Sequence, residues 1–205
     1  MPRPRRHRRG AGGFSQSLNA HVAALRAAPG IVSVETWAQD EARLGLQPVV
    51  RRVWAPRGER PVAWINPRYE WLWVYGFVHP PTGATYWLTM PQVDIAAMGA
   101  ALAAFARDVG IDAAHRVVLV VDRAGWHTSR RLALPEGLTL WFLPAYTPQL
   151  NPAERLWPLV REAMANWSVG RLAELERVVG TRCVTLHDDP VQMHRATNYH
   201  WWPWC

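Results

Sequence analysis

Three acidic residues stand where a rigid framework could hold them: Asp40, Asp122 and Glu154. Asp122 ends the apolar run Val117-Val-Leu-Val-Val121, and Glu154 follows 32 positions later, in the first turn of a helix. That helix is opened by the proline-punctuated stretch Phe142-Leu-Pro-Ala-Tyr-Thr-Pro-Gln-Leu-Asn-Pro-Ala-Glu-Arg-Leu-Trp157. Asp40 and its neighbour Glu41 come after the strand-like Ile31-Val-Ser-Val-Glu-Thr-Trp37. Carboxylates at the ends or starts of regular elements suggest a metal site. Breaking a phosphodiester without a protein nucleophile needs an activated water and a stabilised leaving oxygen, and two divalent cations about 3.5–4 Å apart supply both. Hard Mg²⁺ takes oxygen ligands and keeps several waters, so three carboxylates are enough.

Each acid also has a purely structural reading. Asn151, Pro152 and Glu154 occupy the N-cap, N1 and N3 positions of a capping box, in which the glutamate bonds a backbone N–H. Asp favours strand exits, so Asp122 could be a turn residue. If the first strand continues, Asp40 and Glu41 point to opposite faces, and only one can face Asp122. Glu41 then pairs with Arg43 or supports the site from behind. His127 could orient a phosphate or a water near Asp122, or be a hydrogen-bonded structural histidine. His187, Asp188 and Asp189 read as a helix-end loop rather than a second metal site.

The elements that must position these groups follow from periodicity and punctuation. A short amphipathic helix is expected over Phe14–Ala28, closed by Pro29-Gly30. Strands are expected over Ile31–Trp37, Arg51–Trp54, Pro61–Ile65, Glu70–Val78 and Ala84–Met90, the last two joined by a hairpin at His79–Gly83. Asp94 can cap a helix whose apolar face is Ile95, Met98, Leu102, Phe105 and Val109. Val117–Val121 has the continuous apolar character of a strand covered on both faces, and Leu138–Leu143 is another strand. Helices over Pro152–Asn166 and Leu172–Leu186 complete the body. This order describes an α/β fold whose sheet is antiparallel early and parallel late.

With 205 residues and 49% apolar composition, the chain suits one globular domain. No signal peptide opens it and no run approaches a membrane span, so cytoplasmic residence is the default expectation. Cys183 and Cys205 fit no metal-ligand spacing, and free thiols suit a reducing compartment. The formal charge is +7, and five of the 23 basic residues fall in the first nine: Arg3, Arg5, Arg6, Arg8 and Arg9. Residues 1–13 therefore read as a basic, disordered arm or linker suited to a polyanion such as DNA, ahead of a domain over 14–205. Arg51, Arg52, Arg57 and Arg60 surround a Pro56–Gly58 turn and suit phosphate contact, a solvated hairpin being the alternative. Of the 13 tryptophans, those in strands read as core or sheet-face residues, and Trp201, Trp202 and Trp204 as a cluster docked on the body or on a partner.

Four blocks together resemble the DDE catalytic domain of bacterial insertion-sequence transposases of the mariner-like superfamily. They are Gln39-Asp-Glu-Ala-Arg-Leu-Gly45, Arg52-Val-Trp-Ala-Pro-Arg-Gly-Glu-Arg-Pro61, Val121-Asp-Arg-Ala-Gly-Trp-His127 and the Leu143–Trp157 block, the last being the most specific. The resemblance implies a ribonuclease H-like mixed sheet whose first and fourth strands are neighbours. It places Asp40 just past the first strand and Asp122 at the end of the fourth, with Glu154 closing a catalytic triad. It further implies two Mg²⁺ or Mn²⁺ ions, cleavage of double-stranded DNA at transposon ends, and strand transfer into a TA target by a DNA-bound homodimer in the bacterial cytoplasm at the nucleoid. Relatives carry helix-turn-helix modules, and only about 30 residues precede the first strand here, so a split or truncated element is expected. Two other readings stay open at this point: an inactive remnant or accessory DNA-binding protein, and a host nuclease or resolvase of the same fold.

Overall fold

A computed structural model of the chain describes residues 7–47, 52, 54–59, 68–167 and 169–203, with backbone alone for 7–11. Five strands, β1 (Ser33–Gly45), β2 (Trp71–His79), β3 (Ala84–Met90), β4 (His115–Val121) and β5 (Leu138–Phe142), form one sheet in the order β3-β2-β1-β4-β5. The first three pair antiparallel, whereas β4 runs parallel to both β1 and β5. The mixed sheet read from the sequence is therefore the one observed, including the contact between first and fourth strands.

Two apolar layers cover the sheet. On one face, even-numbered residues of the central strands (Ala38, Ala42, Val118, Val120) pack under α1 (His7–Arg26), α4 (Leu156–Arg161) and α5 (Leu172–His187). On the other, Trp37, Tyr75, Phe77, Val117, Leu119 and Val121 meet α2 (Ile95–Val109), with Trp126 of the one-turn α3 (Gly125–Thr128) at the margin. Strict alternation in β1 and β4 follows from the two-residue period of a strand. Asp94 caps α2 as expected, its carboxylate accepting from the Ala97 N–H at 2.7 Å. Gly110, at φ 82, ends it in the left-handed conformation that disfavours a Cβ.

Several expectations need correction. The first helix starts at His7, not Phe14, so half of the anticipated arm is helical. No proline interrupts it after Pro4, and the stripe Phe14, Leu18 and Val22 docks on the sheet and holds the helix in place. β1 is nearly twice the expected length, so Asp40 lies inside it rather than beyond its end. The expected helix over Pro152–Asn166 is a 3-10 turn (Pro152–Arg155), α4, and a second 3-10 turn (Glu162–Met164). Pro158 has no N–H to bond the Glu154 carbonyl four residues back, which favours the tighter first turn. A further helix, α6 (Pro190–Thr197), was not anticipated; Asp189 caps it by accepting from the Gln192 N–H at 2.9 Å. The strand expected over Pro61–Ile65 lies outside the described residues, as do positions 51 and 53 of the one expected over Arg51–Trp54.

Candidate functional site

The sheet register brings the acids together. In the parallel pair, Ala38 lies opposite Val120. β4 ends one residue later, at Val121, so Asp122 leaves the strand near Asp40 of the neighbouring β1, and both line one cavity. On the other side of β1, Asp40 pairs with Gly76 of β2. A Cβ at Gly76 would stand 2.9 Å from Leu156 Cδ1 and 3.0 Å from Trp157 Cη2. The missing side chain therefore lets the Pro152–Trp157 segment press onto the sheet at Asp40. There Trp157 Nε1 donates to Asp40 Oδ2 at 2.6 Å, and the buried Asn151 side chain donates to the Gln39 carbonyl at 3.0 Å.

The result is one cavity of about 480 Å³ lined by Asp40, Asp122, Arg123, Tyr146, Asn151 and Glu154 among others. Asn151 Oδ1 accepts from the Ala153 N–H, as the N-cap reading expects. The reciprocal half of the capping box is not made: the Asn151 N–H bonds the Pro148 carbonyl at 2.8 Å. The Glu154 carboxylate is thereby left to the cavity. Asp122 does serve the turn, accepting from the Ala124 N–H at 2.9 Å, and it also faces the cavity. Turn and site roles coexist.

The electrostatics follow from burial and like charge. Burial pushes the Asp40 carboxyl up from 3.8 to about 7; the Trp157 hydrogen bond opposes this, and the charges of Glu154 and Glu41 add to it. Glu154 is also raised, by burial and by the charge of Asp122, with Arg161 pulling the other way. Asp122 is lowered, chiefly by a hydrogen bond from His127, whose Nδ1 lies 2.8 Å from Asp122 Oδ1. His127 Nε2 lies 3.0 Å from Glu41 Oε1, and Trp126 Nε1 donates to the same oxygen at 3.2 Å. Burial disfavours the charged imidazole, but the bonds to Asp122 and Glu41 outweigh it and push its pKa up to about 9. A charged imidazole carries a proton on each ring nitrogen, so in that form both donate to the flanking carboxyl groups. Asp40 and Glu41 do point to opposite faces. Of the two readings of Glu41, the pair with Arg43 is not formed: Arg43 lies over the Trp71 ring, 5.1 Å from its centroid.

The described residues divide the expected DNA contacts. Arg52 and Arg57 are exposed, whereas Arg3, Arg5, Arg6, Arg51 and Arg60 lie outside the described residues. Arg8 and Arg9 fall in α1, where only backbone is described. Trp201 and Trp202 dock on the body, Trp201 edge-on to Phe14 at 5.7 Å, and Trp204 lies outside the described residues. His187 Nδ1 bonds the Thr85 carbonyl at 2.9 Å and Asp189 is a cap, in line with the helix-end reading. Sequence reasoning missed Arg123, Trp157 and Tyr146. Arg123 lines the cavity with its Nε on the Leu143 carbonyl at 3.0 Å, and adjacency to Asp122 was the available signal. Tyr146, fully exposed at φ 58, also lines it, and nothing in its sequence neighbourhood announced that conformation.

This strand order, with acids on neighbouring central strands, defines a ribonuclease H-like domain. Residues 35–176 match the DDE superfamily endonuclease family, and the chain belongs to it. An uncharacterized protein of Sinorhizobium fredii (strain NBRC 101917 / NGR234), y4pE/y4sA, is 38% identical over 113 residues, covering 55% of this chain and 80% of its own length. Among solved structures, the Mos1 transposase paired-end complex with left transposon end (TM-score 0.55) and the Mos1 mariner paired-end complex with Mn (TM-score 0.56) share the fold. Each is 15% identical to this chain and covers 98% of it, and the chain spans 65% of the length of each. Among the described residues no helix is long and apolar enough to cross a membrane.

Proposed function

We propose that this chain is the catalytic domain of a DNA transposase, with Asp40, Asp122 and Glu154 holding two divalent cations, Mg²⁺ or Mn²⁺. The observation that carries the reading is the convergence of these three carboxylates, from β1, the end of β4 and the Pro152–Arg155 turn, on one cavity. The donor set fits such ions. All three are hard oxygen donors, and the raised Asp40 carboxyl is the condition that a nearby positive charge relieves. Among the described residues no three His, Cys, Asp or Glu side chains are gathered closely enough to hold one ion by themselves, so waters and phosphate oxygens would have to complete its coordination. An open arrangement suits ions that keep waters and accept phosphate oxygens.

Bound there, the cations would supply an activated water or 3′-hydroxyl and charge for the leaving 3′-oxygen. The protein's own contribution is position. Trp157 turns the Asp40 carboxylate, His127 and the Ala124 N–H grip Asp122, and Asn151 pins the Glu154 turn to β1. Arg123, anchored through Nε, brings a guanidinium to the same cavity for a phosphate oxygen. The substrate in this reading is double-stranded DNA: transposon ends for cleavage, then a target, with TA as the preferred dinucleotide, for strand transfer. Exposed Arg52 and Arg57, with the basic N-terminal residues, meet its backbone. A homodimer on DNA, a helix-turn-helix part that reads the ends, and a nucleoid location complete the proposal.

The test is Mn²⁺-dependent cleavage of DNA carrying the element's own ends, with Asp40→Asn, Asp122→Asn and Glu154→Gln alongside. Each variant should lose activity by orders of magnitude while its circular dichroism is unchanged. Cleavage retained by Glu154→Gln rejects the triad.

A further inference from the structure

Asp122 is held from behind by a chain that crosses to the other face of the sheet. Its Oδ1 accepts from the Ala124 N–H at 2.9 Å and meets His127 Nδ1 at 2.8 Å. His127 Nε2 in turn meets Glu41 Oε1 at 3.0 Å, and Trp126 Nε1 donates to that oxygen at 3.2 Å. The His127 and Glu41 side chains are 1% and 4% exposed, whereas that of Asp122 is 53% exposed. Among the described residues, no hydrogen bond falls on Asp122 Oδ2. One oxygen is gripped, the other carries no hydrogen bond, and the residue lines the cavity.

A plain turn at the strand exit needs only the Ala124 bond, so the buried histidine is not required to end β4. Burying a histidine and a glutamate together costs desolvation that apolar side chains of similar size avoid. Both groups nevertheless occupy the apolar α2 face, and α3 is a single turn that carries Trp126 and His127 to Glu41. Glu41 comes from the same strand as Asp40, one residue on and facing the opposite way. The two neighbours thus serve one site from both sides of the sheet.

We propose that Glu41 and His127 are positioning residues, a buried strut that orients the Asp122 carboxylate so that its second oxygen meets a divalent cation. The inference rests on the proposed metal site, and goes beyond it by assigning the pair that aims one ligand.

The experiment measures binding of Mn²⁺ alone to the full chain by calorimetry, with folding checked by circular dichroism and melting. The variants are Asp122→Asn, Glu41→Gln, Glu41→Leu, His127→Phe and the Glu41→Leu/His127→Phe double. His127→Phe keeps the ring and removes both donors; it should weaken Mn²⁺ binding by about 10–100-fold, the usual effect of removing a ligand's hydrogen-bond partner. Glu41→Leu should weaken it similarly in the wild-type background and add nothing in the His127→Phe background. That non-additivity shows Glu41 acting through His127 rather than through general stability. Glu41→Gln keeps an acceptor oxygen and should retain most of the affinity. If Glu41→Leu alone fails to fold, His127→Phe and the double variant, apolar on both sides, carry the comparison. Folded His127→Phe binding Mn²⁺ within about two-fold of wild type, while Asp122→Asn abolishes binding, overturns the strut and leaves the metal site standing. Mn²⁺ binding untouched by Asp122→Asn overturns the metal site and the strut with it.

Discussion

Replacing Asp40 by asparagine should stabilise the metal-free protein, and by an amount that grows with pH. In the unfolded chain this carboxyl releases its proton near 3.8, while in the fold it holds it to about 7. Between those values the native state carries the extra proton, so stability falls as pH rises from about 4 to 7 and levels off above. At about 1.4 kcal/mol per pH unit, the full penalty on the wild type is about 4 kcal/mol. Asparagine escapes it and can still accept from Trp157. Part of the penalty is already present at pH 5, so the advantage of Asp40→Asn should grow by about 3 kcal/mol between pH 5 and pH 8.5. For a domain of this size that is roughly 6–12 °C in melting temperature. The assay is urea or thermal unfolding of both proteins in EDTA at the two pH values. Mn²⁺ at pH 8.5 should then stabilise the wild type and leave the variant unmoved, since only a ligand that binds the folded state raises stability. An advantage that is constant, or that shrinks as pH rises, refutes the claim that a buried, crowded carboxylate pays for the site.

Trp157→Phe removes the donor that favours the Asp40 anion, so the pH at which Mn²⁺ binding is half complete should move upward; a downward move contradicts the assigned role. Gly76→Val forces side-chain bulk against Leu156 and Trp157, so it should destabilise the fold by about 1–3 kcal/mol and also weaken Mn²⁺ binding. A melt unchanged from wild type would show that the segment is not seated on that glycine. Burial pushes the Cys183 thiol up to about 12, so in a Cys205→Ser background the native protein should react with a thiol reagent at pH 8 only as fast as it unfolds. Rapid native labelling contradicts the packing around α5.

Much of the fold was legible along the chain because it rests on local rules. The continuous apolar run of β4, the hairpin between β2 and β3 and the cap of α2 each express a local pattern or a single side-chain bond. Asp122 and Glu154 could be singled out because each sits at a junction between an apolar element and a loop. Boundaries were less legible. Where α1 begins and how far β1 runs depend on what packs against them, and the broken helix after Asn151 depends on bonds that Pro158 cannot make.

Residue type and spacing along the chain were enough to name three carboxylates and the chemistry they suit. They could not decide which face of β1 Asp40 would take relative to Asp122, because that rests on a parallel register between segments about 80 residues apart. Nor could they show that Gly76 admits Trp157 to Asp40, or that Glu41 would reach through His127 to the far side of the same site. A strand's alternation is local and readable, but the partner on each face is chosen only when distant segments compete for the same buried surface.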